Sequence, residues 1–305
     1  DLSRVIDDLP DDQKVDLGLT LKGRPTPEAL TLLKRLLVER EAATRTAAAE
    51  TLVESCHLPE WCDALFDELT RTGTPLRLHE AVDRLPQRES GNTAARTNLR
   101  RWAGTLETAE SAPLKVLAAT LYGQAAFRED AARVLPMLDA EDPRLRREAY
   151  WTLVKLDPSG ATERIARAAD DPSEEVRALV PAALSRSSFS WVHRFSETES
   201  VSSWRQRPDS MRLKELERGA LRKLDADPVA ELRAASMIAM LTRGEPFDAA
   251  ELMSAIGECR DSVSMSIAAG DALTSNYAKL DPGYAPLLPL LDAARPIFGL
   301  YGKDK

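Results

Sequence analysis

The sequence predicts an all-α protein, a stack of repeated helix pairs rather than one globular core. Three observations carry this. The stretches Asp171-Pro172-Ser173-Glu174-Glu175-Val176-Arg177, Asp227-Pro228-Val229-Ala230-Glu231-Leu232-Arg233 and the shorter Asp142-Pro143-Arg144-Leu145-Arg146 repeat one pattern, and each opens an apolar helical run. A basic residue recurs near the start of successive apolar runs at a spacing close to thirty. No segment alternates apolar and polar residues over strand length.

The chemistry of the pattern predicts where helices begin. Asp in an N-cap position accepts hydrogen bonds from helix amides that have no carbonyl partner, and Pro in the first turn lacks the amide that would go unpaired there. The small and apolar residues that follow, such as Val176, Ala178, Val180, Ala182 and Ala183, form a side narrow enough for close helix approach.

The basic residue then serves as a ruler. Arg45, Arg77, Lys115, Arg146, Arg177 and Arg233 stand near the starts of runs that end at Leu52, Leu85, Leu121, Leu153, Leu184 and Leu241. Successive spacings are 32, 38, 31, 31 and 56 residues. One further step of 31 from Arg233 reaches Ser264, inside a helical segment from Ser262 to Asn276 that lacks the dipeptide. One interval thus carries an excess of about 25 residues over the common unit.

First helices of the pairs fall between these marks: Pro27 to Glu39, Pro59 to Thr70, Thr93 to Thr108, Arg128 to Leu138, Ala161 to Ala169, Met211 to Leu224 and Asp248 to Glu258. Their apolar residues recur at helical spacing, as in Leu30, Leu33, Leu36 and Leu37, or Leu213, Leu216, Ala220, Leu221 and Leu224. Connections hold Pro, Gly or Asp, as in Thr72-Gly73-Thr74-Pro75 and Arg243-Gly244-Glu245-Pro246. The apolar stretch from Pro286 to Leu300 needs a partner helix for Leu287, Leu288, Leu290 and Leu291.

The Asp-Pro-x-x-x-Val-Arg pattern resembles that of HEAT repeats, in which it begins the second helix of each pair. The usual period of that family is about 40 to 47 residues, so these shorter units look more like the compact HEAT-like repeats of the phycobilin-lyase type found in many bacterial proteins. The resemblance implies a right-handed α-solenoid of about seven helix pairs, running as one domain over residues 1–305. The long spacing marks an insertion at 185–210, and the apolar C-terminal stretch reads as a truncated or capping repeat at 282–305. The resemblance also implies that Asp171, Arg177, Asp227 and Arg233 form a structural ladder between neighbouring repeats, interrupted at Asp142 and Arg146, which stand only four apart.

Composition fits closely spaced helices, with 5% aromatic against 43% hydrophobic residues. The 41 basic and 49 acidic residues give a formal charge of −8, the opposite of the basic excess that duplex nucleic acid calls for. Arg96, Arg100 and Arg101, and Arg144, Arg146 and Arg147, cluster locally and read as solvated helix faces. The first residues, with Asp7, Asp8, Asp11 and Asp12, resemble neither a signal peptide nor a membrane span, which favours the cytoplasm. Cys56, Cys62 and Cys259 lack the paired spacing of a zinc site or a disulfide framework, and His57, His79 and His193 adjoin no nucleophile or metal motif. Phosphate-binding glycine loops are also missing from the sequence. The expectation is therefore no catalytic residue, no metal and no cofactor.

The 56-residue interval is where function is expected. From Ser185 to Ser210 it holds nine Ser, two of the five Trp and two of the six Phe. Trp191, His193, Arg194, Phe195, Trp204, Arg205 and Arg207 are of the residue types that dominate binding hot spots, and insertions in repeat proteins often lie on the binding face. Two plainer readings compete: the aromatics cover a gap in the stack, or the interval contains a degraded helix pair. The favoured function is a non-catalytic scaffold or adaptor that holds another protein on the concave face. The alternatives are a HEAT-like enzyme, resembling chromophore lyases or alkylpurine DNA glycosylases, and an accessory repeat domain of a larger protein.

Overall fold

The structure, a computed structural model, describes residues 6, 8–72, 93–157, 160–184, 210–276 and 286–290. Every regular element among them is helical. By internal packing the chain divides into two units, Asp1–Leu156 and Asp157–Lys305.

In the first unit, α1 (Asp11–Thr20), α2 (Pro27–Leu37), α3 (Ala42–Glu54) and α4 (Pro59–Thr72) are followed by α5 (Thr93–Leu106) and α6 (Ala112–Ala125). The first helices are one-sided. In α2, Ala29, Leu32, Leu33, Leu36 and Leu37 are buried, and Thr26 caps the helix by accepting from the Ala29 amide at 3.2 Å, with Pro27 in the first turn. The second helix α6 is apolar on nearly all sides, with every residue from Ala118 to Ala125 buried. Such a helix must be packed on all sides.

Small residues make that packing close. A Cβ added at Gly123 would meet Thr152 Oγ1 at 3.1 Å and Lys155 Cδ at 3.3 Å, so glycine eases the close approach where α8 (Pro143–Leu156) crosses α6. At that crossing Thr152 donates its buried hydroxyl to the Ala119 carbonyl at 2.8 Å. Thr51 of α3 does the same to Gly18 of α1 at 2.9 Å, and both bonds span 33 residues. Thus α1 stands to α3 as α6 stands to α8. Sequence periodicity did not reveal α1, because its buried residues are only Lys14 and Gly18 and it carries no apolar stripe.

Proline accounts for two departures from the expected helices. Arg128 to Leu138 was expected as one helix. Instead a 3-10 turn (Arg128–Asp130), α7 (Ala131–Val134) and a second 3-10 segment (Leu135–Asp139) follow one another, the change falling just before Pro136. In the second unit the helix opened by Asp171 is split into α10 (Glu174–Arg177) and α11 (Leu179–Leu184), because the Pro181 ring crowds the carbonyl of Arg177 four residues back. Val176, Leu179, Val180 and Ala183 are buried, whereas Ala182 is exposed, so Ala182 is not part of the packing side.

The second unit continues with α9 (Ala161–Ala168) ahead of α10, then α12 (Ser210–Leu224), α13 (Ala230–Arg243), α14 (Ala249–Glu258) and α15 (Ser262–Asn276). First helices pack on first helices, α9 on α12, and second on second, α11 on α13 and α13 on α15. Without the dipeptide, α15 is started by Asp261, whose carboxylate accepts from the Ser264 amide at 2.9 Å. Leu287 and Leu290 of the leucine-rich C-terminal stretch are buried against Leu252, Ile256, Ala269 and Leu273 of α14 and α15, while Leu288 is 47% exposed. The expected second helix from Arg77 to Leu85 lies outside the described residues.

Replacing Thr152 or Thr51 by Val removes a buried hydrogen bond between two helices and is expected to lower unfolding free energy by about 1 kcal/mol in denaturant titration. Thr46→Val, which removes only a bond to Ala42 within the same helix, is expected to cost less than about 0.5 kcal/mol.

Candidate functional site

Four of the residues that set the sequence register do one identical thing. The Nη1 of Arg177 donates to the carbonyls of Asp171 and Pro172, both at 3.0 Å, and that of Arg233 to Asp227 and Pro228 at 2.9 and 3.4 Å. Arg146 reaches Ala140 and Glu141 at 2.8 and 2.9 Å, and Arg45 reaches Glu39 and Arg40 at 2.8 and 2.5 Å. Each reaches back six and five residues, clamping the loop that enters its own helix.

The acids act differently from the expected N-caps. Asp171 Oδ1 accepts from the Ser173 amide at 2.8 Å and Asp227 Oδ1 from Val229 at 3.0 Å, while the helices begin at Glu174 and Ala230. These are Asx turns ahead of the helix, and the extended residues Ser173 and Val229 occupy the cap positions. Asp142 is offset. It lies next to α8 and binds the Arg144 amide at 2.9 Å, and the Arg144 guanidinium is the main cause of its lowered pKa.

Within the second unit the structure brings Arg177 and Asp227 together. Arg177 Nε and Nη2 meet Asp227 Oδ2 and Oδ1 at 2.6 and 3.1 Å, a fork in which Asp227 is 5% exposed. Arg233 continues outward to Glu258 at 2.5 Å. Helices α9 and α11 therefore lie directly on α12 and α13, although 25 residues separate Leu184 from Ser210.

Both ends of that interval are held by a buried ionic group. Arg243 Nη2 donates to Glu217 Oε2 at 2.7 Å, its Nε to Glu245 Oε1 at 3.0 Å, and its Nη1 to the Leu184 carbonyl at 3.4 Å. Gly244, at φ +67°, turns the chain so that Glu245 can fold back onto Arg243. Burial works against the Arg243 charge, but Glu217 and Glu245 outweigh it and raise its pKa. Arg218 binds the other oxygen of Glu245 at 3.1 Å. The expected partner-binding residues Trp191, His193, Arg194, Phe195, Trp204, Arg205 and Arg207 themselves lie outside the described residues.

The first arginine cluster is not a solvated face. Arg96 donates to the Ala125 and Ala126 carbonyls at 2.7 and 3.0 Å, where Ala126 takes the left-handed conformation at φ 54° that ends α6. Arg100 binds Asp130 and Glu129, both Arg96 and Arg100 lie over the Phe127 ring, and Arg101 pairs with Asp63 over Trp102. Arg144 and Arg147 are exposed, but Arg146 is spent on its clamp. Cys56, Cys62 and Cys259 are buried, and burial is the main cause that raises the Cys56 and Cys259 thiol pKa values. Among the described residues no group of three or more His, Cys, Asp or Glu could hold a metal ion, and no helix is long and apolar enough to cross a membrane.

Comparison with known proteins adds little. No protein-family model and no curated protein matches the chain. The X-ray structure of YibA from Escherichia coli is similar over 96% of this chain and 95% of that one, at 12% identity and a TM-score of 0.34. At that score the likeness is too loose to define a fold or a function.

Two outcomes check this geometry. Arg177→Ala is expected to lower stability by about 3 kcal/mol, and a double-mutant cycle with Asp227→Asn should show strong coupling between the two. Tyr122 is held neutral chiefly by burial and then by its bond to Glu107, with its pKa pushed up to about 12. Its contribution to stability is present below its ordinary pKa of 10.0 and is lost as pH rises through about 12. Tyr122→Phe should therefore flatten the alkaline decline in stability over that window.

Proposed function

We propose that this chain is a short-repeat, HEAT-like α-solenoid of about seven helix pairs that works as a non-catalytic protein-binding scaffold or adaptor. Residues 185–210 are the partner-contacting insertion, acting with the concave surface lined by second helices. The observation that carries the reading is the direct packing of α9 and α11 on α12 and α13, with Arg177 forked onto Asp227. A stack whose neighbours already touch has no need of 25 further residues to join them, and a degraded helix pair between those neighbours would separate them. The buried Arg243, with Glu217 and Glu245, fixes the Leu184 carbonyl against α12 and α13 just before the interval. The Trp, His, Phe and Arg content of the interval supplies side chains of hot-spot type. On this reading Asp171, Arg177, Asp227 and Arg233 serve the stack and not the partner.

The test compares the intact chain with one in which residues 188–207 are replaced by a Gly/Ser linker of equal length. Affinity capture from the native host, followed by titration of the purified partner, is expected to show binding weakened by about a hundredfold or more in the replaced chain. The Trp191→Ala and Trp204→Ala chains should each lose about 2 kcal/mol or more of binding energy. Equal binding by intact and replaced chains would refute the insertion as the contact. A tightly held pigment, or base release from alkylated DNA, would refute the non-catalytic reading.

A further inference from the structure

A cavity of about 350 Å3 lies in the first unit, between α5 and the segment that runs through Arg128–Asp130 and α7. Gly104 helps to open it, since a Cβ there would stand 3.4 Å from Arg133 Nη1 and 3.7 Å from the Tyr122 hydroxyl. Its volume falls at the small end of the range for small-molecule sites, about 300 to 1,000 Å3.

The hydrogen-bonding capacity left over in this cavity is one-sided. Tyr122 donates its hydroxyl proton to Glu107 at 2.6 Å and accepts from Arg133 at 2.9 Å. Asp130 Oδ1 accepts from Arg100 Nε and Nη2 at 3.0 and 2.7 Å, and Asp130 Oδ2 is sealed from solvent. Thr97 gives its hydroxyl proton to the Thr93 carbonyl at 2.8 Å, so its oxygen stays an acceptor, while the acceptors of Tyr122 and Asp130 are spent or out of reach. The donors are not. Arg133 uses only Nη1, on Glu107 and Tyr122, and Arg101 uses only Nη2, on Asp63. Among the described residues nothing takes the Nε or the second amino group of either, and the two side chains are 53% and 49% exposed. A cavity that offers several guanidinium N–H groups and, of its acceptors, only the weak, neutral Thr97 hydroxyl favours an acceptor-rich, negatively charged ligand.

We propose that this cavity binds a small oxyanion, a phosphate or carboxylate group, through Arg101 and Arg133. Arg100 acts here only as the partner that neutralises Asp130, so that the buried carboxylate does not repel the ligand. Gly104 supplies room beside Arg133. The site is independent of the interval at 185–210, and the two can fail separately.

Isothermal titration of the full chain with inorganic phosphate and with succinate, at ionic strength held constant with chloride, tests it. Saturable one-site binding of one probe at about millimolar affinity is expected, and the probe that binds more tightly identifies the group as phosphate or carboxylate. Arg101→Gln and Arg133→Gln should each weaken that binding about tenfold, the cost of a lost charge-assisted contact. Arg212→Gln, on an exposed side chain of the second unit, should leave it unchanged. Failure of both probes to saturate by about 20 mM would overturn the proposal. So would undiminished affinity in Arg101→Gln, whose half-exposed side chain makes that variant safe for folding.

Discussion

The constraint on which the rest depends is the pair of backbone carbonyls that precede a second helix. A chain turning sharply from one helix into the next leaves carbonyls without the amides that a continuing helix would bring. Here an arginine from the helix being entered reaches back and takes two of them with one amino group, at Arg45, Arg146, Arg177 and Arg233. The guanidinium suits this task because its planar fork leaves the remaining nitrogens free to point elsewhere. Arg177 spends them on Asp227, whose own loop is clamped by Arg233. Loop closure and the tie to the next pair are thereby one device.

Close packing of the second helices is the other half of the account. Glycine, alanine and threonine let α6 and α8 approach until side chain and backbone touch, and at that approach a buried threonine hydroxyl can reach a carbonyl of the neighbouring helix. The same bond from Thr51 to Gly18 sets α1 and α3 in the same relation. The hydroxyls of Thr152 and Thr51 are acceptable inside these contacts because each finds a carbonyl there.

Much of this was legible in the sequence wherever a period or a cap marked it. Helices such as Pro27–Leu37, Thr93–Leu106 and Ser262–Asn276 fall within one or two residues of where the apolar spacing puts them. What escaped had a local physical cause. Helix α1 buries a lysine and a glycine and so carries no periodic signal, and Pro136 and Pro181 broke runs that apolar spacing alone would have continued. The Asp-Pro dipeptide was read as a helix start when in two of three places it makes a turn two residues earlier. Of the candidate site, spacing exposed the long interval but gave no sign of the Arg243, Glu217 and Glu245 group, whose members are ordinary charged residues until the fold buries them together.

Pairs on either side of the long interval are neighbours in their own right, packed directly and tied by the fork of Arg177 on Asp227. Native-state hydrogen exchange in a chain with residues 188–207 replaced by a Gly/Ser linker tests it directly. Amides of Leu179–Leu184 and Ala230–Arg243 are expected to keep the protection they have in the intact chain. Loss of protection in both segments, with α14 and α15 unaffected, would contradict it and make the interval a structural part of the stack.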